Sequence, residues 1–256
     1  MMRIYGRVTG ETLTEENIDE DCEQTCFNRE DCILAFFNEQ DYCILMDFNS
    51  TQSLEVVEAN KQDGLYVSFK TTLPDDTCPA YNLISPVVNL GEDPIRWTRT
   101  GDIWSFKKCV GDWKMFQRPD TNITVCMQTF RVSGMRRSKA FEFCENLGYD
   151  VTGLTANEAE WIYNKYYTIL EYNNGLFMDG ERDCDPPGTN CTNFKWTDGY
   201  TEGNDFVKVA GLSWTGYNSQ DKENCLAVGR FYGSINDIYC DDSPTHEGVV
   251  CGYRLE

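Results

Sequence analysis

The side chains of this sequence with the most scope for chemistry are its 13 cysteines and its single histidine, His246. Cysteine-based metal sites usually contain a Cys-x2-Cys pair, and no two cysteines in the chain have that spacing. One histidine is also too few for a Cys2His2 site. A reducing compartment would leave so many cysteines as free thiols, so disulfide bonds formed in an extracellular, oxidising compartment are the better interpretation.

The same residues argue against an enzyme. Nucleophilic catalysis by serine or cysteine usually needs a neighbouring base. The one histidine lies in the polar stretch 241–248, where we expect it to be solvated. Acidic pairs such as Asp241 and Asp242 are common in a chain with 42 acidic residues and typically face water. No glycine-rich phosphate loop follows a strand and opens a helix. The sequence therefore predicts a non-enzymatic protein.

Charge and hydropathy exclude two classes of partner. The chain carries 22 basic and 42 acidic residues, a net charge of -20, which opposes binding to nucleic acid or to anionic lipid. Its apolar runs, such as 33–37, are too short to cross a bilayer, so we expect no transmembrane segment. The first ten residues contain no apolar run either, and no signal peptide is visible in the sequence as given.

Three N-glycosylation sequons support an extracellular location. They begin at Asn49, Asn122 and Asn190. We expect Asn49 and Asn122 to be occupied more readily than Asn190, because Asn190 directly precedes Cys191, whose disulfide would close a tight loop around the sequon.

The elements that must position these residues fall into two groups. In the first, Thr14 and the acidic residues after it predict a helix start, and Cys22 and Cys26 lie four residues apart on one helical face. That face can meet cysteines on predicted strands at 33–37 and 42–46. Four prolines between 71 and 95 then suit a connector rather than a long helix.

The second group begins with two amphipathic helices. Ser138 precedes apolar residues at i, i+3, i+4 and i+7, and Thr155 with Glu158 forms a capping box ahead of another apolar stripe. Short strands and loops follow, with strands predicted at 176–178, 193–196, 226–232 and 248–253. The fold class is therefore α+β.

The N-terminal residues resemble the nematode CW domain, a relative of the PAN/apple domains. The likeness rests on the segment 3–10, on Asp21-Cys22-x3-Cys26, on the run 32–38 and on the segment 43–51. It covers about residues 1–72. In that family the helix cysteines pair with the hairpin cysteines, which implies disulfides Cys22–Cys43 and Cys26–Cys32. The module is either a ligand-binding unit or an inert spacer or assembly module.

The C-terminal residues resemble a C-type lectin-like domain over about 109–256. The matching segments are 140–144, 194–199, 223–225, 235–240 and 250–252. This resemblance implies the disulfides Cys144–Cys251, Cys225–Cys240, Cys109–Cys126 and Cys184–Cys191. Cys78 is left over; it stays free, joins a second chain in an oligomer, or displaces a partner in the Cys109–Cys126 pair.

Sugar-binding members of the lectin family hold calcium through two stretches of sequence, and the resemblance implies where these lie. The later stretch is matched by Asn236 and Asp237, and Glu223 matches the carboxylate before the cysteine. In the earlier stretch the family has a proline turn, whereas here Asn218 and Gln220 occupy the flanking positions with no proline between them.

That set contains few ligands for calcium, which prefers roughly six to eight oxygen ligands. Glu223, Asn236 and Asp237 remain the candidate metal ligands, and calcium is the one cofactor to consider. The competing interpretation is that Asn236 and Asp237 merely end a strand and bond to loop backbone.

The sequence thus predicts a disulfide-rich α+β protein in three parts. These are a PAN/apple-like module with a helix on an antiparallel sheet (1–75), a connector (76–108), and a C-type lectin-like domain with two helices, two small antiparallel sheets and a long loop region (109–256). The resemblance implies a secreted protein that binds carbohydrate or protein, with a role in innate defence. The alternative is a calcium-independent protein-interaction or structural module without sugar binding.

Overall fold

The chain forms two compact units, Met1–Gly111 and Asp112–Glu256. The structure is a computed structural model that describes residues 1–9, 21–37, 43–72, 80–91, 93–171, 174–183, 192–208, 210, 223–231, 233–240 and 246–256. Both units combine short helices with antiparallel strands and disulfides, so the predicted disulfide-rich α+β class is confirmed. No helix in these residues is long and apolar enough to span a membrane.

The first unit is built on a seven-stranded sheet with the order β3-β2-β5-β1-β4-β9-β8 and antiparallel neighbours. Two short strands, β6 and β7, pair beside it. The strands are β1 (Met2–Thr9), β2 (Cys32–Phe37), β3 (Cys43–Asp47), β4 (Ser53–Glu58), β5 (Tyr66–Phe69), β6 (Val87–Val88), β7 (Ile95–Arg96), β8 (Thr98–Thr100) and β9 (Ile103–Lys107).

One short helix, α1 (Cys22–Asn28), is pinned to this sheet by two disulfides. Its N-cap is Asp21, whose side chain accepts from the backbone N–H of Glu23 at 3.1 Å. The disulfides join Cys22 to Cys43 and Cys26 to Cys32, with Cα–Cα distances of 5.6 and 5.3 Å, and these are the pairs that the resemblance implied. The helix start predicted at Thr14 lies outside the described residues.

The predicted connector differs most from the structure. Its described residues belong to the first unit, because β9 pairs with β4 through contacts such as Val56 opposite Trp104. Trp97 and Trp104 are 2% and 0% exposed, and the indole N–H of Trp104 donates to Glu58 at 2.7 Å. The described residues of this segment form short strands between and after the prolines, and both tryptophans follow the last proline, Pro94. The unit boundary accordingly lies after Gly111.

The second unit contains an eight-stranded sheet that follows the order β10-β11-β17-β13-β15-β16, with β12 on β17 and β14 on β13. A single parallel pairing, Phe177 with Val249, joins the two predicted small sheets into one. The strands are β10 (Lys114–Arg118), β11 (Ile123–Met135), β12 (Asp150–Val151), β13 (Gly175–Arg182), β14 (Phe194–Lys195), β15 (Cys225–Phe231), β16 (Gly233–Ile238) and β17 (His246–Leu255).

Two helices pack on this sheet over separate apolar clusters. Helix α2 (Arg137–Asn146) buries Ala140 and Cys144, and helix α3 (Ala156–Tyr166) buries Ala159, Ile162 and Tyr166. The predicted capping box of α3 is present, with Thr155 accepting from the N–H of Glu158. Helix α2 begins one residue before Ser138, after Arg136.

Disulfides connect these helices and strands. Cys144 on α2 is bonded to Cys251 on β17, and Cys225 to Cys240, with Cα–Cα distances of 5.5 and 5.2 Å. Cys109 and Cys126 are both buried and both disulfide-bonded, and their pairing with each other stays a prediction. Cys78, Cys184 and Cys191 lie outside the described residues.

If residues 80–108 are an integral part of the first unit, removing a buried aromatic ring there must destabilise the whole sheet. Trp97 packs edge-on against Phe69, with ring centroids 4.7 Å apart. We expect Trp97→Ala to lower the free energy of unfolding of the first unit by about 3–5 kcal/mol. The measurement is urea denaturation of the full chain, followed by amide exchange in β4, β5 and β9.

The matched control lies in the same segment. Leu83 is 72% exposed, and Leu83→Ala should change the free energy of unfolding by no more than about 0.5 kcal/mol. Equal effects of the two substitutions would show that the segment is a loose linker after all.

Candidate functional site

The candidate ligand residues lie where three neighbouring strands begin or end. Strand β13 ends at Arg182, β15 begins at Cys225, and β16 places Asp237 opposite Leu226 of β15. The N–H of Arg182 donates to the carbonyl of Asn224 at 2.8 Å, which fixes the end of β13 against the start of β15. This pairing brings the side chain of Arg182 within reach of β16.

The main feature of the site is a buried ion pair. Nη2 of Arg182 lies 2.5 Å from Oδ2 of Asp237, and the two side chains are 1% and 0% exposed. The guanidinium also lies over the ring of Phe194, 5.0 Å from its centroid, and its Nε donates to the carbonyl of Glu223 at 3.4 Å. Asp237 is therefore matched with a positive charge that belongs to the chain itself.

This pairing changes what Asp237 can do. A carboxylate buried without a counter-charge is strongly disfavoured, and removing one partner of a buried pair typically costs about 3–5 kcal/mol. A calcium ion would need the same carboxylate oxygens and would bring a second positive charge close to Arg182. As placed, the aspartate stabilises the strand ends through its pair with Arg182, and its assignment as a metal ligand stays a prediction.

The other predicted ligands do not complete a metal shell in the described residues. Glu223 is half-buried and gives its backbone carbonyl to Arg182. Asn236 is half-buried at the next strand position, whose side chain in a regular strand projects from the opposite face to that of Asp237. Asn218 and Gln220 lie outside the described residues. Within the described part of the chain, no group of three or more His, Cys, Asp or Glu side chains could hold a metal ion.

A second buried network joins residues 197–201 to β13 and to Gly153, and it was not predicted as a site. Asp198 accepts from the N–H of Gly153 at 2.8 Å and from the hydroxyl of Thr201 at 2.6 Å. Asp179 accepts from the N–H of Asp198 at 3.1 Å and from Thr197. Burial raises the pKa of the Asp179 carboxyl, and backbone donors such as the N–H of Thr197 oppose that shift. These carboxylates tie a loop to β13 and to the chain before α3.

Arg118 completes this network from the other side. Its guanidinium donates to both carboxylate oxygens of Glu158 at 2.8 Å, to the hydroxyl of Thr201 at 2.9 Å and to the carbonyl of Gly153 at 2.9 Å. The Glu158 side chain is 1% exposed and that of Arg118 is 5% exposed. Since every partner is separated from Arg118 by 35 residues or more, no local pattern in the sequence points to this contact.

The single histidine is not solvated. His246 is the first residue of β17, is 5% exposed, and packs edge-on against Phe177 with ring centroids 4.9 Å apart. Burial lowers the pKa of its imidazole to about 4. Among the described residues its Nδ1 has no hydrogen-bond partner. The strand continues further toward the N-terminus than expected, so the expectation of a solvated loop residue is wrong.

Comparison with known proteins identifies the N-terminal module. Residues 1–71 match the PAN-like domain family. The PAN-like domain therefore covers strands β1 to β5 and helix α1, whereas β6 to β9 of the same unit lie beyond the match. No curated protein sequence matches the chain.

The solved structures that are similar to this chain include a lectin domain and an antifreeze protein. One is the C-type lectin domain of murine dendritic cell inhibitory receptor 2 in complex with an N-glycan, with 21% identity, a TM-score of 0.39, and coverage of 57% of this chain and 99% of that chain. The other is a calcium-independent type II antifreeze protein, with 18% identity, a TM-score of 0.39, and coverage of 58% and 96%.

The Arg182–Asp237 pair predicts a large and specific loss of stability. In Arg182→Met the carboxylate of Asp237 stays buried without its cation, so the free energy of unfolding of the second unit should fall by about 3–5 kcal/mol. The double variant Arg182→Met/Asp237→Leu should regain most of that loss, because no charge is left buried. Urea denaturation of the oxidised full chain measures both.

The matched control is Arg137→Met. Arg137 pairs with Glu181 at 3.2 Å, but the two side chains are 30% and 36% exposed. Such a pair contributes about 1 kcal/mol or less. If Arg182→Met is no more harmful than Arg137→Met, then Asp237 is not held by a buried charge.

The buried histidine predicts acid sensitivity of the second unit. The folded pKa of about 4 lies below the ordinary value of 6.5, so between these values the unfolded chain binds the extra proton. Its contribution to stability is present above pH 6.5 and is lost as the pH falls toward 4. At about 1.36 kcal/mol per pKa unit, the loss is roughly 3 kcal/mol.

Substitution of the histidine separates this effect from that of the carboxylates. Between pH 7 and pH 4 the free energy of unfolding should fall by roughly 3 kcal/mol more in the natural chain than in His246→Leu. If the free energies of unfolding of the two proteins fall equally between pH 7 and pH 4, the imidazole is not buried and neutral in the folded chain.

Proposed function

We propose that this chain is a secreted, non-enzymatic recognition protein whose C-terminal unit binds a carbohydrate or protein ligand without a resident calcium ion. The observation that carries the proposal is the buried pair of Arg182 and Asp237. It places a fixed guanidinium against Asp237, one of the three candidate calcium ligands that the lectin resemblance implies. Recognition then depends on side chains and backbone rather than on metal coordination.

An extracellular location is supported by the disulfides and by two of the sequons. Cys22, Cys26, Cys144 and Cys225 each take part in a different disulfide, which cytosolic proteins rarely contain. Asn49 and Asn122 are both exposed, as an acceptor for glycan must be, and Asn190 lies outside the described residues. The predicted order of occupancy among the three sequons stays a prediction.

The finer assignments are part of the same proposal. The N-terminal motifs favour the nematode CW type of PAN-like domain, and the C-terminal motifs favour a C-type lectin-like domain with a degenerate calcium site. Innate defence is the role that this combination implies. A non-enzymatic role is supported by His246, whose buried and neutral ring is unavailable as a general base for a substrate.

Calcium-free recognition leads to a direct test of metal dependence. In millimolar calcium the midpoint of thermal unfolding of the second unit should match that in a chelator, because Asp237 is already neutralised. Even at a calcium concentration equal to its dissociation constant, the stabilisation would be only about 0.4 kcal/mol. Calorimetry with titrated calcium measures this, with Asp237→Ala as the variant that removes the central ligand.

A shift of several degrees that disappears in Asp237→Ala would overturn the calcium-free site and make a calcium-dependent lectin the leading hypothesis. A glycan array probed in chelator then separates the ligand classes. Retained glycan binding supports carbohydrate recognition. Absence of glycan binding with and without calcium favours the alternative, a calcium-independent protein-interaction or structural module.

A further inference from the structure

A groove lies between the second half of β11 and helix α2. Its apolar floor is formed by Val132, Met135 and Phe143, and its volume is about 260 Å³. Met135 is 2% exposed, whereas Val132 is 37% exposed and so lies open to solvent. The groove shares none of the residues of the Arg182–Asp237 site.

One side of β11 is open along this groove. Strand β10 pairs with β11 only from Ile123 to Met127, whereas β17 pairs with the other side as far as Met135. In the described part of the chain, no strand pairs with residues 128–135 on the β10 side. Among the described residues, backbone groups of 128–135 that face this side therefore have no partner strand.

The hydrogen bonds show which residues face the open side. Val250 lies opposite Thr129 but gives its carbonyl to Thr152 at 3.1 Å. The N–H of Thr129 instead donates to the side chain of Gln128 at 2.9 Å. Thr129 therefore turns its backbone groups away from β17, and by the alternation of an antiparallel ladder Arg131 does the same.

A bulge widens the strand at the groove. Arg131 pairs with Gly248 and Met135 with His246, so β11 has two residues more than β17 over this stretch. Gly134 has φ +70, a left-handed conformation that glycine adopts without strain. The bulge separates residues 132–134 from the β17 ladder and brings Val132 to the side of the groove.

The helix supplies the opposite wall. Lys139, Glu142 and Phe143 lie on one face of α2 at i, i+3 and i+4, and all three line the groove. The ring of Phe143 rests on that of Phe130, with centroids 5.2 Å apart. An apolar pocket therefore runs beside an unpaired strand edge, with two opposite charges at its rim.

We propose that this groove binds an extended peptide segment of a partner protein, which pairs with the open edge of β11 and inserts one apolar side chain between Val132, Met135 and Phe143. A peptide fits this edge, because an added strand can bond in register to main-chain groups that face away from β17, such as the N–H of Arg131. The pocket is smaller than the roughly 300–1,000 Å³ of sites for drug-sized ligands, and it suits a single side-chain anchor. The proposal concerns a second surface and goes beyond the proposed function.

The simplest alternative explanation of the bulge is that it protects the strand edge from pairing with other chains. Natural sheets blunt exposed edges with bulges and charged side chains, and Arg131, which pairs with Glu247 at 2.7 Å, fits that role. Protection accounts for the bulge but not for an apolar pocket next to it. A strand edge that only avoided pairing would gain nothing from exposing Val132 beside Phe143.

The test uses the secreted full chain and a phage-displayed library of random heptapeptides. Selected peptides should contain a large apolar residue, and on binding they should slow amide exchange at residues 128–135. In Arg131→Pro the N–H needed for strand addition is absent, while the ladder to β17 is kept because that N–H does not take part in it. Affinity should fall about tenfold or more relative to Arg131→Ala, which loses the same ion pair with Glu247.

A second pair of variants tests whether the pocket binds the apolar side chain of the peptide. Phe143→Ala should weaken the same peptides about tenfold, whereas Phe141→Ala, on the same helix but outside the groove, should leave affinity within about twofold. If Arg131→Pro does not fold, this second pair decides alone. Failure to enrich any peptide, or equal affinity for Phe143→Ala and Phe141→Ala, overturns the proposal. So does a dimer of the natural chain that Arg131→Pro dissociates, since a second copy would then be the occupant.

Discussion

The second unit depends on the disulfide between Cys144 and Cys251. Strand β17 pairs with β11, β12 and β13, and Cys251 lies within it, so the bond ties helix α2 to the strand that most others contact. It spans 107 residues, and the chain-entropy model assigns such a loop about 4.7 kcal/mol. That is a large share of the stability of a typical domain. With α2 held in this way, the groove beside β11 keeps its helical wall although the helix buries only two of its own residues.

Buried arginines neutralise buried carboxylates at two places in this unit. Arg182 neutralises Asp237 at the strand ends, and Arg118 neutralises Glu158 at the start of α3. Both guanidinium groups also reach backbone carbonyls, those of Glu223 and Gly153, and so fix loops as well as charges. A guanidinium is covalently attached and always charged, so the order it imposes does not vary with the supply of calcium.

Much of the fold could be predicted from the sequence because its signals are local. The capping box of Thr155 and Glu158 needs only adjacent residues, and the cysteines of α1 are recognised by their four-residue spacing. The candidate site could not be predicted in the same way. Asp237 meets Arg182 across 55 residues, and nothing near either residue indicates the other. The motif around Asp237 suggested a ligand, and only the register of β15 with β16 shows that a cation of the chain already occupies its carboxylate.

Local composition was a poor guide to two features: the structure of residues 76–108 in the first unit and the burial of His246. Prolines between 71 and 95 indicated a connector, because proline disfavours helices, yet strands of two to five residues fit between and after them. The aromatic residues of the predicted connector 76–108 were the better signal: Trp97, Trp104 and Phe106 are too apolar to leave in a linker, and all are buried. For His246 the polar residues before it suggested solvent, whereas the apolar residues Val249 and Val250 after it marked a strand that begins earlier.

If the C-terminal unit binds its ligand without a metal ion, as we propose, the ligand is selected by shape, hydrogen bonds and long-range charge. The net charge of -20 repels anionic ligands and speeds the approach of basic ones, over a distance limited by a Debye length of about 8 Å at physiological salt. Charge of this kind sets association rates more than it sets affinity. Affinity must then come from contacts that exclude water, and the unpaired edge of β11 beside Phe143 offers both directed main-chain hydrogen bonds and an apolar anchor. A neutral or basic segment in extended conformation satisfies all of these conditions together.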